Sequence, residues 1–254
     1  MWDSYWDDPW VLAQWPLLRR RRLSGLDVRV GTTGDGVIVR VPEEGTTSVL
    51  LAGDEAAALL AEGARGSDRV LVLGDVGPSV RAELSSLGFE ERRTWDWYSV
   101  SEEREPTDQA VELLDDPTEV QALLTDSYPL ADRRTSTNGR WWGVHSDGTL
   151  VAAGAADTWR GHAPDGSVDW NSHLRSFTVR RDHRGEGVGL AVFSQILFEE
   201  WRRTGWVQWS TWGDSEETAG LMRSIGVEPS THVTNFRPVG LASPAGGYPG
   251  TETA

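Results

Sequence analysis

Cysteine is absent from the 254 residues, and so is lysine: all 24 basic residues are arginine. Without cysteine there is no disulfide framework, no thiolate metal site and no cysteine nucleophile, which points to a reducing, intracellular compartment. Without lysine there is neither a Walker-type phosphate lysine nor a lysine for a pyridoxal Schiff base. Long apolar runs are missing as well, and the opening "MWDSYWDDPW" is acidic and broken by Pro9, unlike the basic-then-apolar layout of a signal peptide. A soluble, cytoplasmic protein with no membrane association is expected. The five histidines, at positions 145, 162, 173, 183 and 232, show no metal-ligand spacing, and no Gly-x-Ser-x-Gly elbow occurs. No metal is expected.

What the chain has in quantity is acid and tryptophan. A net charge of −15 disfavours nucleic acid, whose binders need a basic footprint, and favours cationic small molecules or peptides. The only basic run, Arg19 to Arg22, reads as solvated surface, with a phosphate or another chain as the alternative. The 14 tryptophans read as core and interface anchors, since each buries roughly 150–250 Å².

The pattern along the chain is α/β. Short strands are expected around Val28–Val30, Val37–Val41 and Ser48–Leu51, a helix over Asp54–Ala64, and "VLVLG" as a buried strand. A helix opened by Pro78 and stopped by Gly88 leads to a strand bearing Trp95 and Trp97, after which Ser101–Gln109 reads as a linker. The second half begins with "AVELL" as a strand and "PTEVQALLTDSY" as a helix, capped by Thr118 or the aspartates before it. A hairpin then turns at Asp147-Gly148. Behind the strand that follows, a helix carries Leu190, Phe193, Leu197 and Trp201 at spacings of three and four, and Gly205 stops it. "WVQWST" reads as a strand, Glu216–Ser224 as a helix stopped by Gly226, "THVTNF" as a last strand, and the Gly/Pro-rich tail from 241 to 254 as disordered. Gly88 and Gly226 occupy equivalent helix-stop positions, and "VIVRVPEEG" faintly echoes "FTVRRDHRG". An internal duplication is the reading of both, with residues 1–104 as a degenerate first copy, 105–240 as the second and 241–254 as the tail; chance similarity is the alternative. Glu43 and Glu44 would repel a phosphate from the first copy.

The most informative stretch is "VRRDHRGEGVGLAV". Gly185, Gly187 and Gly189 lie between a strand and a helix, where free backbone N–H groups and the helix N-terminus favour an anion. A Rossmann fingerprint would need Gly-x-Gly-x-x-Gly directly after the strand, whereas position 190 is Leu and "RRDHR" intervenes. A glycine-rich turn without function is the other alternative. The stretch resembles the acetyl-CoA pyrophosphate loop of the GNAT superfamily of N-acyltransferases, with Arg184, Gly187 and Gly189 at the motif positions. The order of elements over residues 110–238 is also similar to that family.

The resemblance implies two tandem GNAT-like domains, each a mixed central sheet flanked by helices, with the N-terminal copy degenerate. It implies that Arg184, Gly185, Glu186, Gly187, Val188, Gly189 and Leu190 hold the pyrophosphate of acetyl-CoA, while Phe177, Thr178 and Val179 pair with its pantetheine arm. It further implies an amine acceptor, of cationic character given the charge, and leaves a homodimer open. Six residues before Val179, where the family often has a glutamate base, stands His173; a hydrogen-bonded strand histidine is the alternative, and Asp169 could serve directly or through water. Counting back from Gly226, the family's Asn and its leaving-group Tyr correspond to Ser215 and Met222. Ser215 could bind the pantetheine arm or cap its helix, but Met222 cannot donate a proton. A non-catalytic protein that binds a CoA thioester or a peptide is therefore the second reading.

Overall fold

The computed structural model describes residues 29–33, 36–43, 45–51, 64, 66–127, 139–162, 168–213 and 215–240. The expected helix at 54–64, the arginine run and the 241–254 tail lie outside the described residues, apart from Ala64. In chain order the elements are β1 (Arg29–Thr33), β2 (Gly36–Glu43), β3 (Gly45–Leu51), β4 (Arg69–Leu73), α1 (Pro78–Ser86), β5 (Phe89–Val100), β6 (Glu112–Leu114), α2 (Pro117–Ser127), β7 (Arg140–Ser146), β8 (Thr149–His162), β9 (Val168–Val179), α3 (Val188–Thr204), β10 (Val207–Trp212), α4 (Glu216–Ser224) and β11 (Thr231–Pro238). The fold is mixed α/β, and the chain packs as two compact units.

The first unit gathers the described residues up to 98 with 160–162, 168–169 and 211–240. Its strands run in the order β1-β2-β3-β4-β11-β5. The hairpins β1/β2 and β2/β3 are antiparallel, β3 and β4 are parallel, and β11 pairs antiparallel with β4 on one side and with β5 on the other. Helix α1 starts with Pro78 at its first turn, where a missing N–H costs nothing. It lays Val80 and Leu84 on Val70, Val72, Phe89 and Phe236 of the sheet. Gly88 (φ 82°) and Gly226 (φ 67°) end α1 and α4 in the left-handed region and feed β5 and β11, as the sequence echo anticipates. The fainter echo is not a structural one. Glu43 pairs with Gly45 in the β2/β3 ladder, and among the described residues β2 is followed by a strand and not by a helix.

The second unit holds the described parts of 99–159 and 170–210, with strand order β10-β9-β8-β7-β6. The β7–β8 turn uses Asp147 (φ 50°) and Gly148 (φ 74°), the two positive φ values of a type I′ hairpin. Helix α2 is capped by Asp116, whose carboxylate accepts the Thr118 N–H at 2.7 Å. That bond holds the Asp116 carboxyl below its ordinary value. On one sheet face α2 buries Val120, Leu123 and Leu124 against Trp141, Leu150 and Ala153. Helix α3 buries Val188, Ala191, Val192, Phe193, Ile196 and Leu197. Its apolar stripe is rotated from the expected one, since Leu190 and Trp201 are only half-buried and the Trp201 indole donates to Ser101 O at 2.9 Å.

His145, on β7, ties α2 to the neighbouring strand β6. Its Nδ1 meets the Glu112 carboxylate and its Nε2 meets Glu119 at 2.7 Å. Two carboxylate partners require both ring nitrogens to carry protons. Desolvation alone would lower its pKa, but hydrogen bonds and charge from Glu112 and Glu119 outweigh it and raise it. A raised folded-state pKa contributes stability that is fully present below the ordinary value of about 6.5 and is lost as pH rises through the folded value. Urea midpoints measured from pH 5.5 upward should therefore fall more steeply for the wild type than for His145→Gln, which cannot be protonated. Parallel curves would show that this contact carries no pH dependence.

Candidate functional site

The glycine loop is built by backbone conformation. After β9 the chain makes one short helical turn at Arg181–His183, then passes through Gly185 (φ 85°) and Gly187 (φ 84°), the latter serving as the N-cap of α3. An L-residue in the left-handed region costs roughly 1–2 kcal/mol, which glycine avoids. A Cβ added at Gly185 or Gly187 would meet nothing within 4 Å, so glycine answers the backbone angle there and the space beside the loop is open. Gly189 has a different reason, because its Cβ would come 3.0 Å from Val179 Cγ2, a crowded contact between the first turn of α3 and the end of β9.

The first intrahelical bond of α3 runs from the Ala191 N–H to Gly187 O at 3.0 Å. The N–H groups of Val188, Gly189 and Leu190 precede it and have no intrahelical acceptor. Together with the aligned peptide dipoles, worth about half a unit charge at this end, they suit a diphosphate-sized anion. The side chains around the loop are arginine-rich. Arg181 and Arg184 are exposed, Arg184 directing Nε toward Val179 O at 3.5 Å. The loop's two carboxylates have side-chain partners: Glu186 meets the His183 ring at 2.9 Å and Asp182 pairs with Arg180 at 3.5 Å. Arg180 also lies 3.9 Å from Asp126 at the end of α2.

The strand in front of the loop is bent where it matters. β9 and β10 pair in parallel from Ser172↔Val207 to Leu174↔Trp209, joined by α3 as the crossover. At Ser176 the backbone enters the left-handed region (φ 58°), a conformation that breaks the ladder and lets β9 run on to Val179 apart from β10. No local signal announces this bulge, because serine is not a residue that marks positive φ. Past it, Phe177 turns onto Phe193 of α3, with ring centroids 5.0 Å apart. Gly154 makes the room: a Cβ there would lie 2.5 Å from the Phe177 ring. The backbone of Phe177, Thr178 and Val179 therefore leads from the opened gap directly to the glycine loop.

The expected catalytic positions divide. His173 sits on the paired part of β9, opposite Gln208 in register, and is 3% exposed. By strand alternation it faces away from α3, on the same side as Arg175. Its neighbour Ser172 faces α3, where its hydroxyl meets the fully buried Glu200 carboxylate; Glu200 in turn pairs with Arg140 and Arg203. Nothing in the sequence marks this buried carboxylate and its arginine partners. Asp169 lies on β9, with its backbone alone described. Ser215 and Met222 belong to the first unit. The Ser215 hydroxyl caps α4, accepting from the Thr218 N–H at 3.4 Å, and Met222 is buried in that unit's interior. The second unit thus contains Phe177 to Val179, the loop from Arg184 to Leu190, and His173, the last of these on the paired part of β9. Among the described residues no group of three or more His, Cys, Asp or Glu could hold a metal ion, and no helix is long and apolar enough to cross a membrane.

With β9 parted from its parallel neighbour after Ser176 and a glycine loop at the N-terminus of α3, this chain has the fold of the GCN5-related N-acetyltransferases. The chain is similar to a GCN5-related N-acetyltransferase from Kribbella flavida (15% identity, TM-score 0.56, 89% of this chain and 96% of that one). It is also similar to one from Sphaerobacter thermophilus (14%, 0.53, 85% and 83%) and to a GNAT-family acetyltransferase from Colwellia psychrerythraea (14%, 0.52, 83% and 85%). A Staphylococcus epidermidis protein of unknown function shares the fold as well (10%, 0.50, 85% and 96%). No family model and no curated protein matches the sequence.

Proposed function

We propose that the chain is an N-acyltransferase that moves acetyl from acetyl-CoA to the primary amine of a small-molecule or peptide acceptor. The observation that carries this reading is the open loop at Gly185 and Gly187, placed directly behind the strand that parts at Ser176. Acetyl-CoA, as co-substrate, supplies an acyl carbon already activated as a thioester. The amides from Gly185 to Leu190 hold the diphosphate, Arg184 adds positive charge, and the Phe177–Val179 backbone aligns the pantetheine arm. His173 takes the proton that the ammonium must lose before it attacks. This chemistry needs no metal. The charge of −15 favours a cationic acceptor over nucleic acid, and the absence of cysteine suits a reducing cytoplasm. The acceptor pocket is assigned to the variable segments 128–137 and 160–169, which lie largely outside the described residues.

Release of free thiol from acetyl-CoA with a panel of amines tests the activity. Met222 motivates the second reading, a protein that binds the thioester without turnover. Tight CoA binding with no thiol release from any amine would select it.

We propose further that residues 1–104 and 105–240 descend from one duplication, and that only the second copy kept the loop. Among the described residues, β2 is followed by strand β3 and not by a helix whose N-terminus could receive an anion. Calorimetry should accordingly give one CoA per chain; two would refute the assignment of the first copy.

A further inference from the structure

A residue held at positive φ without being glycine needs its surroundings to hold it there. Ser176 is such a residue, and the side chain beside it is unusual. Arg175 is 5% exposed, and its guanidinium grips Asp157 of β8 with two bonds, Nε to Oδ2 at 2.6 Å and Nη2 to Oδ1 at 3.0 Å. The third nitrogen, Nη1, donates to the Ser176 hydroxyl at 3.4 Å. The Trp141 ring lies 5.5 Å from the guanidinium carbon, closing the group in from β7. Gly139 backs the pair so closely that a Cβ there would lie 2.5 Å from Asp157 Oδ1. A buried guanidinium with a two-pronged partner has one orientation, so the backbone that carries it is fixed as well.

We propose that the Arg175–Asp157 pair is a clamp that holds Ser176 in its left-handed conformation and so keeps β9 parted from β10: the pair positions the pantetheine-binding strand. Without the clamp, Ser176 relaxes into the β region, where serine belongs, and β9 continues its pairing along β10 past Leu174. The gap closes from its narrow end, and the Phe177–Val179 backbone turns its bonding groups inward. The positioning role toward acyl-CoA rests on the function proposed above; the clamp itself does not.

Three variants test it: Arg175→Met, Ser176→Gly and the double variant. Glycine adopts positive φ without support, so Ser176→Gly alone should bind CoA within threefold of wild type. Arg175→Met should weaken CoA binding at least tenfold, and adding Ser176→Gly should restore most of that loss. A generally damaged core would not be rescued by glycine at the neighbouring position. Wild-type affinity in folded Arg175→Met, or a loss that Ser176→Gly leaves untouched, overturns the proposal. Amide hydrogen exchange provides a readout independent of ligand: Phe177 to Val179 should exchange more slowly in Arg175→Met than in wild type and return to the wild-type rate in the double variant. If wild-type protein binds no CoA, the functional reading falls, while the exchange pattern still decides the clamp. Should Arg175→Met fail to fold, Arg175→Lys, which keeps the charge and loses the two-pronged bond, is measured in its place.

Discussion

Gly187→Val should bind acetyl-CoA at least a hundredfold more weakly than wild type. The loop offers an anion several N–H groups and a helix end, and a hydrogen bond to a charged group contributes about 1.5–3 kcal/mol. Gly187 caps α3 at φ 84°, an angle that a β-branched residue does not hold, so the loop must refold and at least two such bonds are lost. Two bonds of about 1.4 kcal/mol each already amount to a hundredfold. The other end of the same helix supplies the control. Gly205 caps it at φ 68°, and a Cβ there likewise meets nothing within 4 Å. Gly205→Ala therefore carries a similar backbone penalty, and it should lower the melting temperature while leaving CoA affinity unchanged. Undiminished affinity by calorimetry in a folded Gly187→Val protein sinks the cofactor assignment.

The second large effect is expected at His173. A positioned general base contributes typically 10²–10⁴-fold, and an amine whose conjugate acid resembles lysine's, with a pKa of about 10.4, must lose a proton before it reacts. Because His173 is buried, Ala would open a cavity and confound stability with rate. Gln keeps most of the volume and cannot act as a base near neutral pH. His173→Gln should lower kcat by roughly a hundredfold or more, leave acetyl-CoA affinity nearly unchanged, and move the low-pH limb of the rate profile. A histidine that serves packing alone predicts the reverse, with lost thermal stability and an intact rate per folded molecule. If the rate and pH profile survive in both His173→Gln and His173→Ala, the base is elsewhere, and Asp169 is the next position to change.

Much of the candidate site's backbone was legible in the sequence because its parts obey local rules. Glycine at 185 and 187, Asp147-Gly148 and the helix stops at 88, 205 and 226 all mark positive φ, which sequence shows wherever glycine is the cheap solution. Proline at 78 and the aspartate at 116 mark helix starts for reasons equally local. The α3 stripe was legible only in part, because half-buried Leu190 and Trp201 have the right spacing and apolar character yet lie at the edge of the face that packs.

By itself, then, the sequence determined where the chain turns, where its helices begin and end, and that a glycine loop at a helix N-terminus follows a strand. Only the tertiary structure decided which strands lie side by side: β11, at the far end of the chain, runs between β4 and β5, a placement set by long-range pairing that no local pattern encodes. The tertiary structure also decided the bulge, since Ser176 reaches positive φ beside a buried Arg175 whose carboxylate partner lies on another strand. Glu200 belongs to the same class, a carboxylate made tolerable in the interior by Arg140 from β7 and Arg203 one turn along its own helix. In each case the residue alone disfavours its state, and groups distant in the chain or newly buried around it supply the free energy that reverses the preference.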